Sequence, residues 1–283
     1  MRTCTLPDGT PVPVLGLGTW RIGESAATRD AEIASVREAI TLGYRLIDTA
    51  EMYGEGGSES IVGHAIADAI RAGDVRRDEL FVVSKVYPHN ASRRGTALAC
   101  DRSLGRLGLD RIDLYLLHWR GSIALAETVE ALQALVQTGR IARWGVSNLD
   151  VDELQQIDRL APGRCATDQV YYALTQRGPA FDLLPWMRAR SMPMMAYSPI
   201  DQGGLAGDAA LAHIGRPRGL TAAQVALAWV VSQPGVLAIP KALRLQHLQE
   251  NLAAAQVRLD DAALQAIDAR FPAPRRKTPL AMI

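Results

Sequence analysis

Eight short runs, each nearly all apolar, alternate along this chain with segments whose apolar residues recur every three or four positions. The runs lie near 15–19, 44–49, 80–85, 111–118, 141–146, 166–170, 193–197 and 235–239. The helical segments lie near 28–42, 58–71, 92–107, 124–139, 150–160, 180–190 and 221–233, with two more near 244–255 and 260–270. Runs this apolar have no wet face, which suits strands of a parallel sheet, and parallel neighbours need crossover helices between them. Eight strand–helix units in series, with no linker rich in Pro, Gly and Ser, predict an α/β fold: a single closed (β/α)8 TIM barrel over residues 1–283. A doubly wound open sheet is the runner-up. The 283 residues accommodate a barrel, which commonly takes about 250. Ahead of it, Leu6 to Val14 carries the turn signal Pro7-Asp8-Gly9 and reads as a short N-terminal β-hairpin.

Local signals agree with this layout. Ser58-Glu59-Ser60 and the capping box Thr221-Ala222-Ala223-Gln224 mark helix starts, and Gly43, Gly73, Gly105 and Gly139 mark helix ends. Pro199 to Gly219 holds five glycines and no clear period, so it reads as a long mobile loop.

Composition narrows the function classes. With 31 basic and 30 acidic residues there is no broad basic field to recruit nucleic acid. The one basic cluster, Arg275-Arg276-Lys277, reads as a solvated tail. The first residues lack the apolar core of a signal peptide, and no stretch approaches the roughly 18 apolar residues of a membrane span. Three scattered cysteines, Cys4, Cys100 and Cys165, fit free thiols in a reducing cytosol. No Cys or His spacing suggests zinc, so no metal is expected. With no exposed heptad or apolar patch, a monomer is the default, and a small molecule is the expected partner.

Three of the runs end on reactive side chains. They are Leu46-Ile47-Asp48-Thr49-Ala50-Glu51-Met52-Tyr53, Leu80-Phe81-Val82-Val83-Ser84-Lys85 and Ile112-Asp113-Leu114-Tyr115-Leu116-Leu117-His118. A fourth, Trp144-Gly145-Val146-Ser147-Asn148, ends on hydrogen-bonding groups. In parallel α/β folds chemistry collects at the carboxyl ends of strands. There Asp48, Tyr53, Lys85 and His118 compose a proton-transfer set. A tyrosine with a pKa of about 10 is a sluggish acid near neutrality. An adjacent ammonium is expected to lower that value, and a carboxylate holds the ammonium in place. The histidine can hydrogen-bond the oxygen that receives the proton. Singly, each has a plain structural reading: a turn residue, a packed ring, a surface charge, a core histidine. Four at three strand ends are not accounted for by packing, and the set suits carbonyl reduction.

Trp20, Tyr87 and Trp119, each just beyond a strand, are expected to line an apolar substrate pocket with Tyr53 and His118. Gly16-Leu17-Gly18 followed by Gly23 has the wrong spacing for a dinucleotide fingerprint. A competing chemistry, a Schiff-base aldolase using Lys85, needs an uncharged amine, which Asp48 opposes.

These residues resemble a known family. Ile47-Asp48-Thr49-Ala50 through Tyr53, Val83-Ser84-Lys85, Asp113 to Trp119, Gly145-Val146-Ser147-Asn148, Ala196-Tyr197-Ser198-Pro199 and Ile239-Pro240-Lys241 resemble, in order, the signatures of the aldo-keto reductases. The resemblance runs from about residue 10 to about 271. Ala50-Glu51-Met52-Tyr53 and Leu183-Leu184-Pro185-Trp186 are most similar to small bacterial members that reduce methylglyoxal and related aldehydes.

The resemblance implies a barrel that binds NADPH in extended form and reduces small aldehydes and α-dicarbonyls. Hydride would come from nicotinamide C4 and the proton from Tyr53, supported by Lys85 and Asp48, with His118 orienting the carbonyl. Ser147, Asn148 and Gln169 would hold the carboxamide and Tyr197 would stack on the ring. Ser198, Pro199 and Ile200, with Gln202 and Leu205, would lie over the pyrophosphate. Thr19, Trp20, Asp48, Ile239 and Pro240 complete the implied cofactor contacts. Lys241 matches the family lysine near the 2′-phosphate, and Glu250 and Asn251 match positions near the adenine.

Two positions depart from the pattern. Ala242 replaces a common serine and His247 a common arginine, and both changes remove phosphate contacts. Arg244 is expected to compensate, which keeps NADPH the expected cofactor, with NADH possible. His247 implies phosphate binding that weakens above a pH of about 6.5. The twelve residues after Phe271 form a short tail, which implies an open site and broad selectivity. Some channel-associated relatives keep the barrel and cofactor with little catalysis, which leaves a regulatory subunit as an alternative.

Overall fold

A computed structural model describes residues 2–283. The chain opens with an antiparallel hairpin, β1 (Thr3–Thr5) and β2 (Pro11–Pro13), whose turn closes through Leu6 N–H to the Thr10 carbonyl at 2.9 Å. Eight parallel strands follow, each hydrogen-bonded to the next: β3 (Leu17–Gly18), β4 (Leu46–Asp48), β5 (Phe81–Val86), β6 (Leu114–Leu117), β7 (Trp144–Ser147), β8 (Cys165–Tyr171), β9 (Met194–Tyr197) and β10 (Val236–Ala238). The last strand meets the first. Bridges join Leu15 to Ala238 and Gly18 to Lys241, and the Ala238 N–H reaches the Val14 carbonyl at 2.8 Å. Gly18 makes this approach possible, since a Cβ there would lie 2.5 Å from the Ile239 carbonyl oxygen. The sheet therefore closes into the expected barrel, not an open sheet.

Closure divides the core in two. Inside the barrel, Leu46, Val83, Leu114, Leu116, Met195, Leu237 and Ile239 pack together, and Leu6 and Val12 of the hairpin stop the end from which the strands start. That plug leaves the opposite end, where the strands finish, as the open mouth. Outside, the other faces of the strands pack against the helices, which explains why all seven residues of β8 are buried.

The helices are α1 (Arg29–Thr41), α2 (Gly57–Ala72), α3 (Arg93–Leu107), α4 (Leu125–Gln137), α5 (Val151–Leu160), α6 (Leu183–Arg188), α7 (Ala209–Gly215), α8 (Ala222–Ser232), α9 (Leu245–Ala254) and α10 (Asp261–Arg270). The Thr221–Gln224 capping box is formed. Three local expectations change. Ser58 is not a cap: α2 starts one residue earlier from a left-handed Gly56, and the buried Ser58 hydroxyl binds the Thr19 hydroxyl at 2.7 Å. Gly105 lies inside α3, and Gly108 ends that helix with φ 64°. The stretch 199–219 is not irregular: it holds a 3-10 segment Asp201–Gly207, α7, and a second 3-10 turn Arg216–Arg218. Its glycines obscured a helix of only seven residues, capped by Asp208.

Candidate active site

Barrel geometry carries the reactive side chains to the mouth. Asp48 is the last residue of β4, Lys85 the fifth of six in β5, and His118 follows directly on β6. Tyr53 sits on a short 3-10 turn after β4. Lys85 Nζ lies 2.7 Å from Asp48 Oδ1, 2.9 Å from the Thr49 carbonyl oxygen and 3.1 Å from the Tyr53 hydroxyl. An ammonium has three donors, and each has an acceptor here. Because Tyr53 Oη accepts from Lys85, its own proton is free to point elsewhere. The His118 and Tyr53 rings meet edge to face at 5.6 Å. The sequence-predicted tetrad is one physical cluster.

All four groups are nearly excluded from water. Burial pushes the Asp48 carboxyl up and the Lys85 ammonium down from their ordinary values, and each charge opposes the shift of the other. The 2.7 Å contact keeps them an ion pair. Tyr53 departs from expectation. Burial first, and then the Asp48 carboxylate, hold its phenol well above the usual value, so Lys85 does not lower it in this cleft. His118 is held well below its usual value by burial and by the Lys85 charge, and is a neutral imidazole. Its Nδ1 has no hydrogen-bond partner.

On the far side of the mouth, β7, β8 and β9 deliver a connected amide and hydroxyl cluster. Ser147 Oγ donates to the Gln169 carbonyl at 2.8 Å, and Asn148 Nδ2 donates to Ser147 Oγ at 3.1 Å and to the His118 carbonyl at 3.2 Å. The Tyr197 hydroxyl donates to Asn148 Oδ1 at 2.9 Å. Asn148 is left-handed, with φ 61°. Gln169 turns its amide toward Asp48.

Beyond β9 the backbone is left-handed at Ser198, Asp201 and Gln202, while Leu205 is buried. Pro199 is also buried and Ile200 half-buried. The Tyr171 phenol donates to the Asp201 carboxylate and ties this turn back to β8. Thr19 is not brought to the cleft surface. It is wholly buried, its hydroxyl donating to the Asp48 carbonyl at 2.8 Å, and acts as a tie between β3, β4 and α2.

After β10, Ile239 and Pro240 are buried. Lys241, Arg244 and His247 are exposed and, among the described residues, make no side-chain hydrogen bond or ion pair. Glu250 accepts from Gln246 at 2.8 Å, and Asn251 is buried next to Tyr44.

The predicted pocket aromatics are partly united. Ring contacts run from His118 to Trp119 at 4.9 Å and from Trp119 to Tyr87 at 5.9 Å. Trp20 stands outside that series, half-buried, with the Arg21 guanidinium 4.6 Å over its ring. Sequence reasoning missed the carboxylates that hold this wall. Buried Glu51 accepts from the Tyr87 N–H at 2.7 Å and from Asn90 at 3.1 Å, and Glu55 accepts from the Tyr87 hydroxyl at 3.0 Å. Their spacing of two residues on either side of Tyr53 was the available signal.

The short tail is tied to the barrel. Lys277 bonds Asp150 and Asp182, both at 3.0 Å, Leu280 and Ala281 pack on the core, and the Ile283 backbone hydrogen-bonds Tyr197. Among the described residues no group of three His, Cys, Asp or Glu is placed to hold a metal, and no helix is long and apolar enough to cross a membrane.

Comparison with known proteins fits this geometry. The profile of the Aldo/keto reductase family matches residues 14–270. Methylglyoxal reductase YeaE of Escherichia coli (strain K12) is 48% identical over 278 residues, covering 96% of this chain and 95% of that protein. Glyoxal reductase of Bacillus subtilis (strain 168) is 34% identical over 269 residues, covering 94% and 92%. The crystal structure of an aldo/keto reductase from Klebsiella pneumoniae in complex with NADP and acetate superposes with a TM-score of 0.94 at 46% identity, covering 100% of this chain and 99% of that one.

Proposed function

The chain belongs to the Aldo/keto reductase family, and from that premise we propose that it is an NADPH-dependent reductase of small aldehydes and α-dicarbonyls such as methylglyoxal. The observation that carries this reading is the bonding of Lys85, whose three contacts fix Tyr53 with its hydroxyl proton uncommitted. When bound, the reduced nicotinamide supplies hydride to the carbonyl carbon, and the chain must deliver a proton to the oxygen. Tyr53 is that donor. Its high pKa keeps the proton in place until an alkoxide, a far stronger base than a phenolate, begins to form. Lys85 then stabilises the phenolate left behind, and Asp48 balances the Lys85 charge throughout. Neutral His118 hydrogen-bonds the carbonyl oxygen and fixes its approach, without taking part as a cation.

The residues present fit the cofactor. Lys241 and Arg244 are charges with no acidic partner, placed beyond β10 where the family resemblance puts the 2′-phosphate. Buried Asn251 supplies an amide for the adenine. Ser147 and Asn148, bonded to each other and to the Gln169 backbone carbonyl, are preorganised for the carboxamide, the Gln169 side chain is fixed by Asp48, and Tyr197, locked by Asn148, presents a ring for the nicotinamide. Free Cys4, Cys100 and Cys165 support work in a reducing cytosol. A monomer completes the reading.

The deciding experiment follows the loss of NADPH absorbance with methylglyoxal for the unmodified protein and Tyr53→Phe. We expect kcat to fall by about 10²–10⁴ in the variant, with cofactor binding, read by quenching of protein fluorescence, retained. An unmodified protein that turns over no aldehyde with either NADPH or NADH would overturn the reading.

A further inference from the structure

We propose that Glu55 is a specificity-determining residue that restricts this site to uncharged carbonyls; the inference rests on the reductase reading above and narrows its substrate class. Tyr87 forms the pocket wall that continues through Trp119 and His118 to Tyr53. Tyr87 itself is held at both ends by carboxylates flanking Tyr53: Glu51 takes its N–H and Glu55 its phenol. An exposed carboxylate therefore stands one hydrogen bond from the ring expected to line the substrate pocket.

The placement of Glu55 is built, not incidental. It is left-handed, with φ 50°, between Gly54 and Gly56, both also at positive φ. Gly54 packs so closely on the loop after β3 that a Cβ would lie 2.5 Å from the Gly23 carbonyl oxygen. The backbone that aims Glu55 is thereby fixed by the neighbouring loop after β3. A left-handed conformation is costly for a residue with a Cβ, and here it is accommodated by fixed neighbours.

The charge of Glu55 is also uncompensated. The two arginines on α3 that approach this turn are committed to other carboxylates: Arg106 binds Glu59 at 2.6 Å, and Arg102 reaches Glu51 at 3.4 Å. Arg21 lies over the Trp20 ring and makes no ion pair with Glu55. Within the cluster the remaining charges are the neutralised Lys85–Asp48 pair, while His118 is neutral. A carboxylate-bearing aldehyde entering past Tyr87 meets a like charge that no cation pairs, the Arg21 guanidinium being held over the Trp20 ring, whereas methylglyoxal meets an aromatic wall. Such repulsion selects against a competitor without strengthening contacts to the preferred substrate.

The test compares kcat/KM for a matched pair, 4-nitrobenzaldehyde and 4-carboxybenzaldehyde, at saturating NADPH, in the unmodified protein and in Glu55→Gln. The glutamine keeps an acceptor for the Tyr87 hydroxyl and removes only the charge. We expect the variant to gain on the order of tenfold, equivalent to about 1.4 kcal/mol, on the carboxylate alone, with the neutral aldehyde within twofold. Raising the ionic strength to about 1 M is expected to narrow the gap between the two aldehydes in the unmodified protein but not in the variant. Equal effects on both aldehydes, or no effect on either, would overturn the assignment while leaving the reductase reading intact. Failure of the unmodified protein to reduce the neutral aldehyde would remove that reading and this inference with it.

Discussion

Gln169 Nε2 donates to Asp48 Oδ2 at 2.8 Å, the oxygen that Lys85 leaves free. Asp48 is thus gripped from β5 and from β8, on opposite sides of the mouth, and the position of Lys85 and Tyr53 depends on both grips. The neutral amide adds a hydrogen bond to a buried carboxylate without adding a second cation, so the ion pair stays balanced. Gln169→Leu removes that bond and is expected to cost about 1.5–3 kcal/mol in urea unfolding. Turnover is expected to fall with it as the tetrad loosens. A variant as stable as the unmodified protein would show that Asp48 needs only Lys85.

The neutral imidazole of His118 makes a pH prediction. Its folded-state pKa is depressed below the ordinary value of about 6.5 because burial and Lys85 disfavour the cation. Below the ordinary value the unfolded chain binds a proton that the folded chain refuses, so stability is lost as pH falls through that window. The slope assigned to this one group is at most about 1.4 kcal/mol per pH unit. His118→Gln removes the titrating group, and its stability relative to the unmodified protein is expected to improve steadily as pH drops below about 6.5. Parallel melting curves across that range would contradict a neutral His118.

Discrimination between NADPH and NADH is expected to rest on Arg244 and Lys241, exposed charges without acidic partners just beyond β10. Arg244→Gln is predicted to raise KM for NADPH by about tenfold, the loss of one charge-assisted bond of about 1.5 kcal/mol, while KM for NADH stays unchanged. His247→Arg should act in the opposite direction. A change in both cofactors together would place Arg244 elsewhere on the nucleotide.

The parts legible in the sequence are those fixed by local chemistry. The eight strands were readable because burial on both faces makes them continuous apolar runs, and the tetrad because each member stands at or just beyond a strand end. The contacts that complete the site were not readable in the same way. Glu51 and Glu55 looked like surface acids, and only folding brings them to Tyr87, 36 and 32 residues away. Lys277 lay in a cluster that resembled a solvated tail, and the carboxylates that capture it are far away in sequence, at Asp150 and Asp182. The pKa of Tyr53 was misjudged because a lysine in a motif suggests a charge effect, whereas complete burial dominates. Helix α7 was hidden because seven residues among glycines carry too little periodicity.

Asp168 stands next to Gln169 on β8 and has no exposed surface, and neither of its carboxyl oxygens has a hydrogen-bond partner of good geometry. Burial holds its carboxyl well above the ordinary value, and the nearby Leu149 and Gln169 backbone N–H groups offset this only in part. The sign of the linkage follows directly. A raised folded-state pKa gives stability that is complete below the ordinary carboxylate value of about 4 and is lost as pH rises towards the folded value, because the unfolded chain releases its proton first. Asp168→Asn keeps the size and removes the ionisation. It is therefore expected to be more stable than the unmodified protein at neutral pH, with the advantage shrinking as pH falls towards about 4. Thermal melts of the two proteins over that range provide the measurement. An asparagine variant that is less stable at every pH would mean that the carboxyl makes a bond the amide cannot replace, with the turn at Leu149, one residue past left-handed Asn148, as the place to look.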